Sequence, residues 1–391
     1  MTFRRYNLVL TVLMAVALAV VAAANLAADP YGAYPAVHID KIARHSGQVG
    51  TRTARAELLR HGPWEFVILG SSRAQMGYAP DHPALAGLKG CNAALPGTNI
   101  RELQPILNYT LRHNDPKRIL LGMDFLLFTD TRKFNQDFMQ SRFAPGRDLI
   151  SYHLDNTVSL RATYASEQTI LSFARHEDPR FTPYGQTVRH SKRLAGGHRK
   201  LFHDKLIEFF TNPESYANFH YSQDRLDRFA NMIRAARESD TKLDIVINPV
   251  HAAQFEAIAA AGLWPTFEQW LTDITRIVHA QQALPGGDEI RLVSFLGYGP
   301  YSDEPIPAAG DTETTMQWWW ECSHFKDALG RLVLDRLYGE DSKPGFGLDL
   351  TPDTVEAHIA SLRAGRDAWR TARPGDAAFV HEVAREAGIE D

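Results

Sequence analysis

The sequence predicts an α/β fold, a parallel sheet with helices on both faces, preceded by one N-terminal transmembrane helix. Short apolar runs such as Phe66-Val67-Ile68-Leu69 and Arg118-Ile119-Leu120-Leu121-Gly122 stop at a glycine, as buried parallel strands do. Amphipathic stretches of helical period lie between such runs, and that alternation argues for a sheet covered on both sides. An unbroken apolar run at the N-terminus stands apart from both.

With 391 residues the chain has room for one large domain or two ordinary ones. Its 44% apolar and 23% charged residues are those of a globular protein. A net charge of -4 gives no basic surface for nucleic acid, so that class of partner is set aside. Cys91 and Cys322 are too few for a disulfide framework or a cysteine-built zinc site. One bridge between them would need Cα atoms within about 7 Å, which the sequence leaves open. No P-loop, His-Glu-x-x-His or Cys-x-x-Cys pattern occurs, so no nucleotide cofactor or structural metal is inferred.

Arg4 and Arg5 precede an apolar run from Leu8 to Ala24, extended through Asn25, Leu26, Ala27 and Ala28. A helix needs about 20 residues to cross a hydrocarbon core of about 30 Å, and residues 1–28 supply them. The arginines would stay on the cytoplasmic side and send the rest of the chain outward, to a periplasmic or extracytoplasmic location on a single-pass anchor. A cleaved signal peptide is the rival reading. It suits the alanines near residue 24, but its apolar core is usually shorter.

Residues 29–62 lack clear periodicity and read as a tether, with a helix around Thr53–Arg60. A domain is expected over residues 63–340. After its first strand a helix is predicted from Asn99, with Glu102 placed as in a capping box. Residues 129–220, rich in His, Arg, Phe and Tyr, read as an irregular insertion. Helical pattern resumes at Ser222–Glu238, followed by strand Leu243–Asn248, helices between Ala252 and Ala280, and strand Ile290–Phe295. Phe325, Ala328, Leu329, Leu332, Val333 and Leu337 then mark an amphipathic helix closed at Gly339. Residues 341–391 form a tail whose helix starts at Thr351-Pro352 and is charged enough to read as solvated.

Active sites of open α/β sheets form where loops leave the carboxyl ends of strands. Gly70-Ser71-Ser72-Arg73 stands at one such end and Gly122-Met123-Asp124 at another. Asn92-Ala93-Ala94-Leu95-Pro96-Gly97 precedes a helix start, and Glu321-Cys322-Ser323-His324 precedes the last core helix. A serine hydroxyl becomes a useful nucleophile only when a base takes its proton. Imidazole is suited to that role, and a carboxylate three residues earlier can fix its tautomer. Each piece alone has a plain reading: Gly-Ser-Ser as a turn, Gly97 as loop punctuation, Glu321 and His324 as a surface pair.

Taken in order, these segments resemble the SGNH (GDSL-like) hydrolase superfamily over roughly residues 64–340, the insertion aside. Its blocks are Gly-Asp-Ser, a glycine before a helix, Gly-x-Asn, and Asp-x-x-His. The resemblance implies a three-layer, flavodoxin-like domain with Ser72 as nucleophile, His324 as acid and base, and Glu321 orienting it. It places Gly97 and Asp124 at the oxyanion positions, where N–H donors of Ser72 and Gly97 would act. Two departures stand out. Ser71 replaces an acidic residue and is an alternative nucleophile that fits the pattern less well. Asp124 replaces an asparagine donor, and a carboxylate facing a developing anion must be protonated, turned away or replaced by another donor.

The likeness extends to the exported, anchored branch of alginate O-acetylation proteins and the D-alanyl transfer protein of teichoic acid synthesis. It implies acyl transfer, O-acetyl above all, or ester hydrolysis on a cell-envelope polysaccharide or glycoconjugate. A multi-pass membrane acyltransferase is the implied partner. A catalytically inert glycan-binding or assembly protein is the alternative. Arg73 and His251 are further candidates for substrate contact. Trp318-Trp319-Trp320 reads as core packing before sugar stacking, and the basic stretch from Arg189 to Lys205 as a solvated loop or an anion contact.

Overall fold

The computed structural model describes residues 2–188, 196–287, 289–339 and 343–389. In chain order the elements begin with α1 (Phe3–Ala28), α2 (Asp40–Ala43), α3 (Thr51–His61), β1 (Phe66–Leu69), α4 (Ser72–Gly77) and β2 (Gly90–Asn92). They continue with α5 (Ile100–Asn114), β3 (Arg118–Met123), α6 (Leu149–Thr157), α7 (Leu160–Ala174), α8 (Gly197–Thr211) and α9 (Gln223–Glu238). Then come β4 (Lys242–Ile247), α10 (Ala252–Ala260), α11 (Trp264–Gln282) and β5 (Ile290–Ser294). The chain ends with α12 (Asp327–Tyr338), β6 (Leu348–Asp349), α13 (Val355–Ala372) and α14 (Pro374–Glu386). These elements form two compact units: Met1–Gly62 with Asn135–Val188, and Pro63–Phe134 with Arg189–Asp391.

In the first unit α1 is 26 residues long and is apolar and long enough to cross a membrane. Its last turn is buried, and Asp29 closes it in the left-handed region at φ 41°. The segment expected to be a tether is folded. Its helix α3 turns Thr51, Arg52, Thr53, Arg55 and Glu57 inward together with Ala56 and Leu59. Glu57 is fully buried and accepts hydrogen bonds from Tyr152 Oη (2.5 Å), Arg142 Nε (2.5 Å) and Arg60 Nη1 (3.1 Å). A helix that buries paired charges carries no apolar stripe, which is why these residues read as a linker. The expected insertion at 129–220 is also divided. Residues 135–188 build this first unit, whereas α8 and the chain beyond it belong to the second.

The second unit holds a six-stranded sheet of order β2-β1-β3-β4-β5-β6. Neighbours from β2 through β5 run parallel, and β6 pairs antiparallel with β5. The apolar runs of β1, β3, β4 and β5 are buried, as their composition requires. Strands β2 and β6, three and two residues long, carry no apolar run and escaped the pattern. Asp244 lies buried within β4, and donors converge on it: Arg118 Nη1, Arg291 Nε and Tyr338 Oη, each at 2.7 Å. Because β2 lies on one side of β1 and β3 on the other, strand order reverses there, opening a crevice beyond their carboxyl ends.

The C-terminal tail is not solvated. Helices α13 and α14 bury Val355, Ile359, Leu362, Trp369, Phe379 and Val380. Between them and α10, the fully buried Glu256 accepts two hydrogen bonds from Arg366 (2.8 and 3.0 Å) and one from His381 Nε2 (2.7 Å). Paired charges turned inward again look like a solvent-facing surface in sequence, so the domain extends beyond residue 340.

One close approach matters for the site. Helices α4 and α12 cross where a Cβ on Gly330 would lie 1.7 Å from the carbonyl oxygen of Gly77. Helix α4 begins at Ser72 and α12 begins three residues after His324, so this crossing sets how near those residues come. Gly330→Ala is expected to lower stability by about 1–3 kcal/mol or more through overpacking. A urea denaturation series checks this, and an unchanged midpoint would contradict the tight crossing.

Candidate active site

The site starts at the exit of β1. Gly70 has φ 143°, and a Cβ there would stand 2.8 Å from the Gly122 carbonyl oxygen at the end of β3. A side chain would push the two strand ends apart. Ser71 caps α4, its Oγ accepting from the Arg73 N–H at 3.2 Å, and Ser72 is the first residue of the helix. The buried Asn92 side chain, at the end of β2, donates to the carbonyls of Ala74 and Tyr78, each at 2.8 Å. Helix α4 is therefore held at both ends.

Residues 252 positions apart then meet: Ser72 Oγ lies 2.7 Å from His324 Nε2. His324 Nδ1 is hydrogen-bonded to Glu321 Oε1. A carboxylate only accepts, so Nδ1 carries the proton and Nε2 is left to accept from the Ser72 hydroxyl. Glu321 also receives the N–H groups of Ser323 (2.8 Å) and His324 (3.1 Å), closing its loop upon itself. Burial, the largest influence, would raise the Glu321 pKa, but the facing His324 ring, Lys205 and the Ser323 N–H together hold it down to about 2. Ser72 is partly exposed while Glu321 and His324 are buried, so the hydroxyl faces solvent with the imidazole and carboxylate behind it.

The loop bearing Glu321 and His324 is fastened from the core. Trp320 N–H donates to the His324 carbonyl at 2.9 Å, and Lys326 N–H to the Trp318 carbonyl at 2.7 Å. Trp319 is fully buried, edge-on to His251 and Phe325, with its Nε1–H on the Tyr301 carbonyl at 2.7 Å. The tryptophans thus act as packing at the base of this loop. His251 does not line the cleft. It caps α10, accepting from the Ala253 N–H (3.1 Å), and its Nε2 meets the Glu304 carbonyl (2.7 Å). Burial pushes its pKa down to about 4, and its backbone N–H supports the Cys322 carbonyl at 3.1 Å. Cys91 and Cys322 are both buried, and no disulfide joins them.

Arg73 is not open to substrate. Its buried guanidinium donates to Asp124 Oδ1 (2.5 Å), to Gln254 Oε1 (2.8 Å), and twice to Ser323 Oγ (3.0 and 2.9 Å). Burial alone would lower its pKa, but Asp124 beside it holds it above the ordinary value. Asp124 also accepts from Ser71 Oγ and from Asn248 Nδ2 (3.0 Å), whose Oδ1 in turn accepts from Tyr78 Oη (2.6 Å). The carboxylate at the oxyanion position is thus turned onto three donors and offers none to an anion. Ser71 has no imidazole beside it; its hydroxyl donates to Asp124, a carboxylate already paired with Arg73, and its Oγ caps α4, so it serves as a cap and a network member.

Ser72, Gly97, Asp124 and His324 line one cavity of about 300 Å³. Gly97 stands at its rim with φ 63°. Two further cations enter the lining that spacing did not disclose. Arg132, half-buried, donates to the carbonyls of Glu214 (3.0 Å) and Thr98 (3.2 Å), and burial pushes its pKa down. Lys205 pairs with Glu208 at 2.7 Å. Of the basic stretch, Lys192 and Arg193 lie outside the described residues. Arg199 stacks on Phe379 with its guanidinium carbon 4.0 Å from the ring centroid, and Lys200 pairs with Asp204. Asn248 follows a strand and could have been found by that rule; nothing local marked Gln254.

No protein-family model matches the sequence, and no curated protein matches it. The chemistry assigned to the site therefore rests on its geometry.

Two outcomes are expected. Asp124→Asn strands a buried guanidinium and should cost about 3–5 kcal/mol in denaturant unfolding; a change below about 1 kcal/mol would contradict the network's role. Because the Glu321 pKa is depressed on folding, its contribution is complete above the ordinary value of 4.5 and is lost as pH falls towards about 2. The stability difference between wild type and Glu321→Gln, measured by chemical denaturation, should shrink over that interval.

Proposed function

We propose that the chain is a serine-dependent acyltransferase or esterase. The observation that carries this reading is the continuous hydrogen-bonded line from Ser72 through His324 to Glu321. In the first step Ser72 Oγ bonds to the ester carbonyl carbon while its proton passes to His324 Nε2. The bond to the leaving alcohol then breaks, and Nε2 returns the proton to that oxygen. In the second step an acceptor hydroxyl or water attacks the acyl-serine, gives its proton to Nε2, and Ser72 is released with its proton restored. Glu321 keeps the ring in the required tautomer and offsets its charge while it holds the extra proton.

A developing oxyanion needs donors, and Asp124 supplies none. The N–H of Ser72, first in α4, has no acceptor within its helix, and Gly97 borders the same cavity. These match the positions that the SGNH resemblance assigns to this task. The strand order β2-β1-β3-β4-β5 is that of doubly wound, flavodoxin-like sheets, which supports the three-layer SGNH arrangement. With α1 as an anchor and the body outward, the substrate is an envelope polysaccharide or glycoconjugate, O-acetylated with acyl groups supplied by a multi-pass membrane acyltransferase.

The engagement of Asp124 favours one second reading, an inert glycan-binding or assembly protein that kept the fold. Turnover separates the two. With 4-nitrophenyl acetate, Ser72→Ala is expected to fall to background, and His324→Ala to lose on the order of 10²–10⁴ in kcat/KM. Turnover at wild-type rates in folded Ser72→Ala would dispose of the Ser72 mechanism, and glycan binding without turnover in the wild type would favour the binding protein.

A further inference from the structure

Outside α1, large apolar side chains that stand in solvent are unevenly distributed. Among the described residues all of them except Leu284 and Leu348 belong to the unit that carries α1. The densest group lies on α6 and α7, where Leu149, Ile150, Leu154, Leu160 and Tyr164 are 57%, 73%, 53%, 90% and 53% exposed. At 3.6 residues per turn the three on α6 fall within an arc of about 140°. Leu160 begins α7, just past the turn that joins the two helices.

That turn is fastened to a known level of α1. Asn25 Nδ2 donates to the Thr157 carbonyl at 2.8 Å and to Thr163 Oγ1 at 3.3 Å. Asn25 and Ala28 are buried, whereas α1 is exposed through residue 20. The apolar run Leu8–Ala24 that precedes this junction is 17 residues long. At 1.5 Å per residue it spans about 26 Å, some 4 Å short of a hydrocarbon core of about 30 Å. A core of full thickness starting at Leu8 therefore reaches the level of Asn25–Ala28, where the α6–α7 turn is attached. Several polar groups at the turn are paired within the protein. The Asp155 carbonyl accepts from Ser159 Oγ at 2.5 Å, the Leu154 carbonyl from the Val158 N–H at 2.9 Å, and the Asp155 carboxylate meets Arg147. Such internal pairing is what a segment needs on leaving bulk water.

We propose that α6 and α7 form an interfacial hairpin, with Leu160 at its tip in the boundary between headgroups and acyl chains, beside the point where α1 leaves the bilayer. The occupant of the exposed face is lipid, because the turn joining α6 to α7 is fastened at Asn25 to the segment that is itself built for lipid. The inference rests on α1 crossing the membrane, and its test is arranged so that the two can fail separately.

Full-length protein in phospholipid nanodiscs is labelled with a nitroxide at one introduced cysteine at a time: Leu13→Cys, Ile150→Cys, Leu160→Cys or Leu348→Cys. The parent chain, whose native cysteines are buried, supplies the background. Collision with oxygen, which concentrates in lipid, is compared with collision with a water-soluble nickel chelate. The oxygen-to-nickel ratio at Leu160 and Ile150 is expected to be several-fold above that at Leu348 and to approach that at Leu13. A lipid-like value at Leu13 with a water-like value at Leu160 overturns the hairpin and leaves the anchor. Low collision with both reagents at Leu160 means a protein covers the face, a second copy included, and overturns it too. A water-like value at Leu13 removes the anchor reading and the hairpin with it.

Discussion

A guanidinium withdrawn from water must find acceptors for its N–H groups, and Arg73 finds them on three other segments of chain. Asp124 follows β3, Gln254 sits on α10, and Ser323 lies in the loop that carries Glu321 and His324. Arg73 itself is the second residue of α4, directly after Ser72. Its ion pair ties the helix of Ser72 to the end of β3, and its two hydrogen bonds to Ser323 Oγ tie that helix to the loop of His324. A buried charge that loses its partner is costly, so departure of any one segment from this junction is opposed. That gives the Ser72–His324 hydrogen bond a fixed frame, which two loops packed only by apolar contacts would hold less well.

The same junction explains the carboxylate at position 124. An oxyanion site would be spoiled by an acidic side chain facing the substrate. Here the side chain faces Arg73, Ser71 and Asn248, and its charge is matched by a cation in direct contact. On the proposed mechanism, stabilisation of a tetrahedral intermediate would fall to backbone donors, with Arg132 also lining the cavity and Lys205 there paired with Glu208. The site uses its acidic residue for construction rather than for chemistry.

Much of the sheet was legible because its central strands are nearly pure apolar runs ending at Gly70 or Gly122, and the strand-end rule led from them to Ser72 and Asp124. Glu321 and His324 were legible by their three-residue spacing before an amphipathic helix. What failed were places where charge is buried in pairs. Glu57 in α3 and Glu256 beneath α13 and α14 each sit among cations brought from distant chain, so the segment around α3 read as a tether and the tail helix as solvated. His251 was drawn towards the cleft for its position after a strand, yet its ring is used in capping. Lys205 closes the basic stretch read as a solvated loop or an anion contact, and nothing in the sequence singled out Arg132, which only the folded chain brings to the cavity.

The central claim is that the Glu321–His324 pair makes Ser72 nucleophilic. Labelling of the intact protein with a fluorophosphonate, followed by peptide mass analysis, tests it most directly. The account expects one adduct, on Ser72, that is lost in folded His324→Ala. No adduct, an adduct on Ser71, or equal labelling in the absence of the imidazole would contradict it.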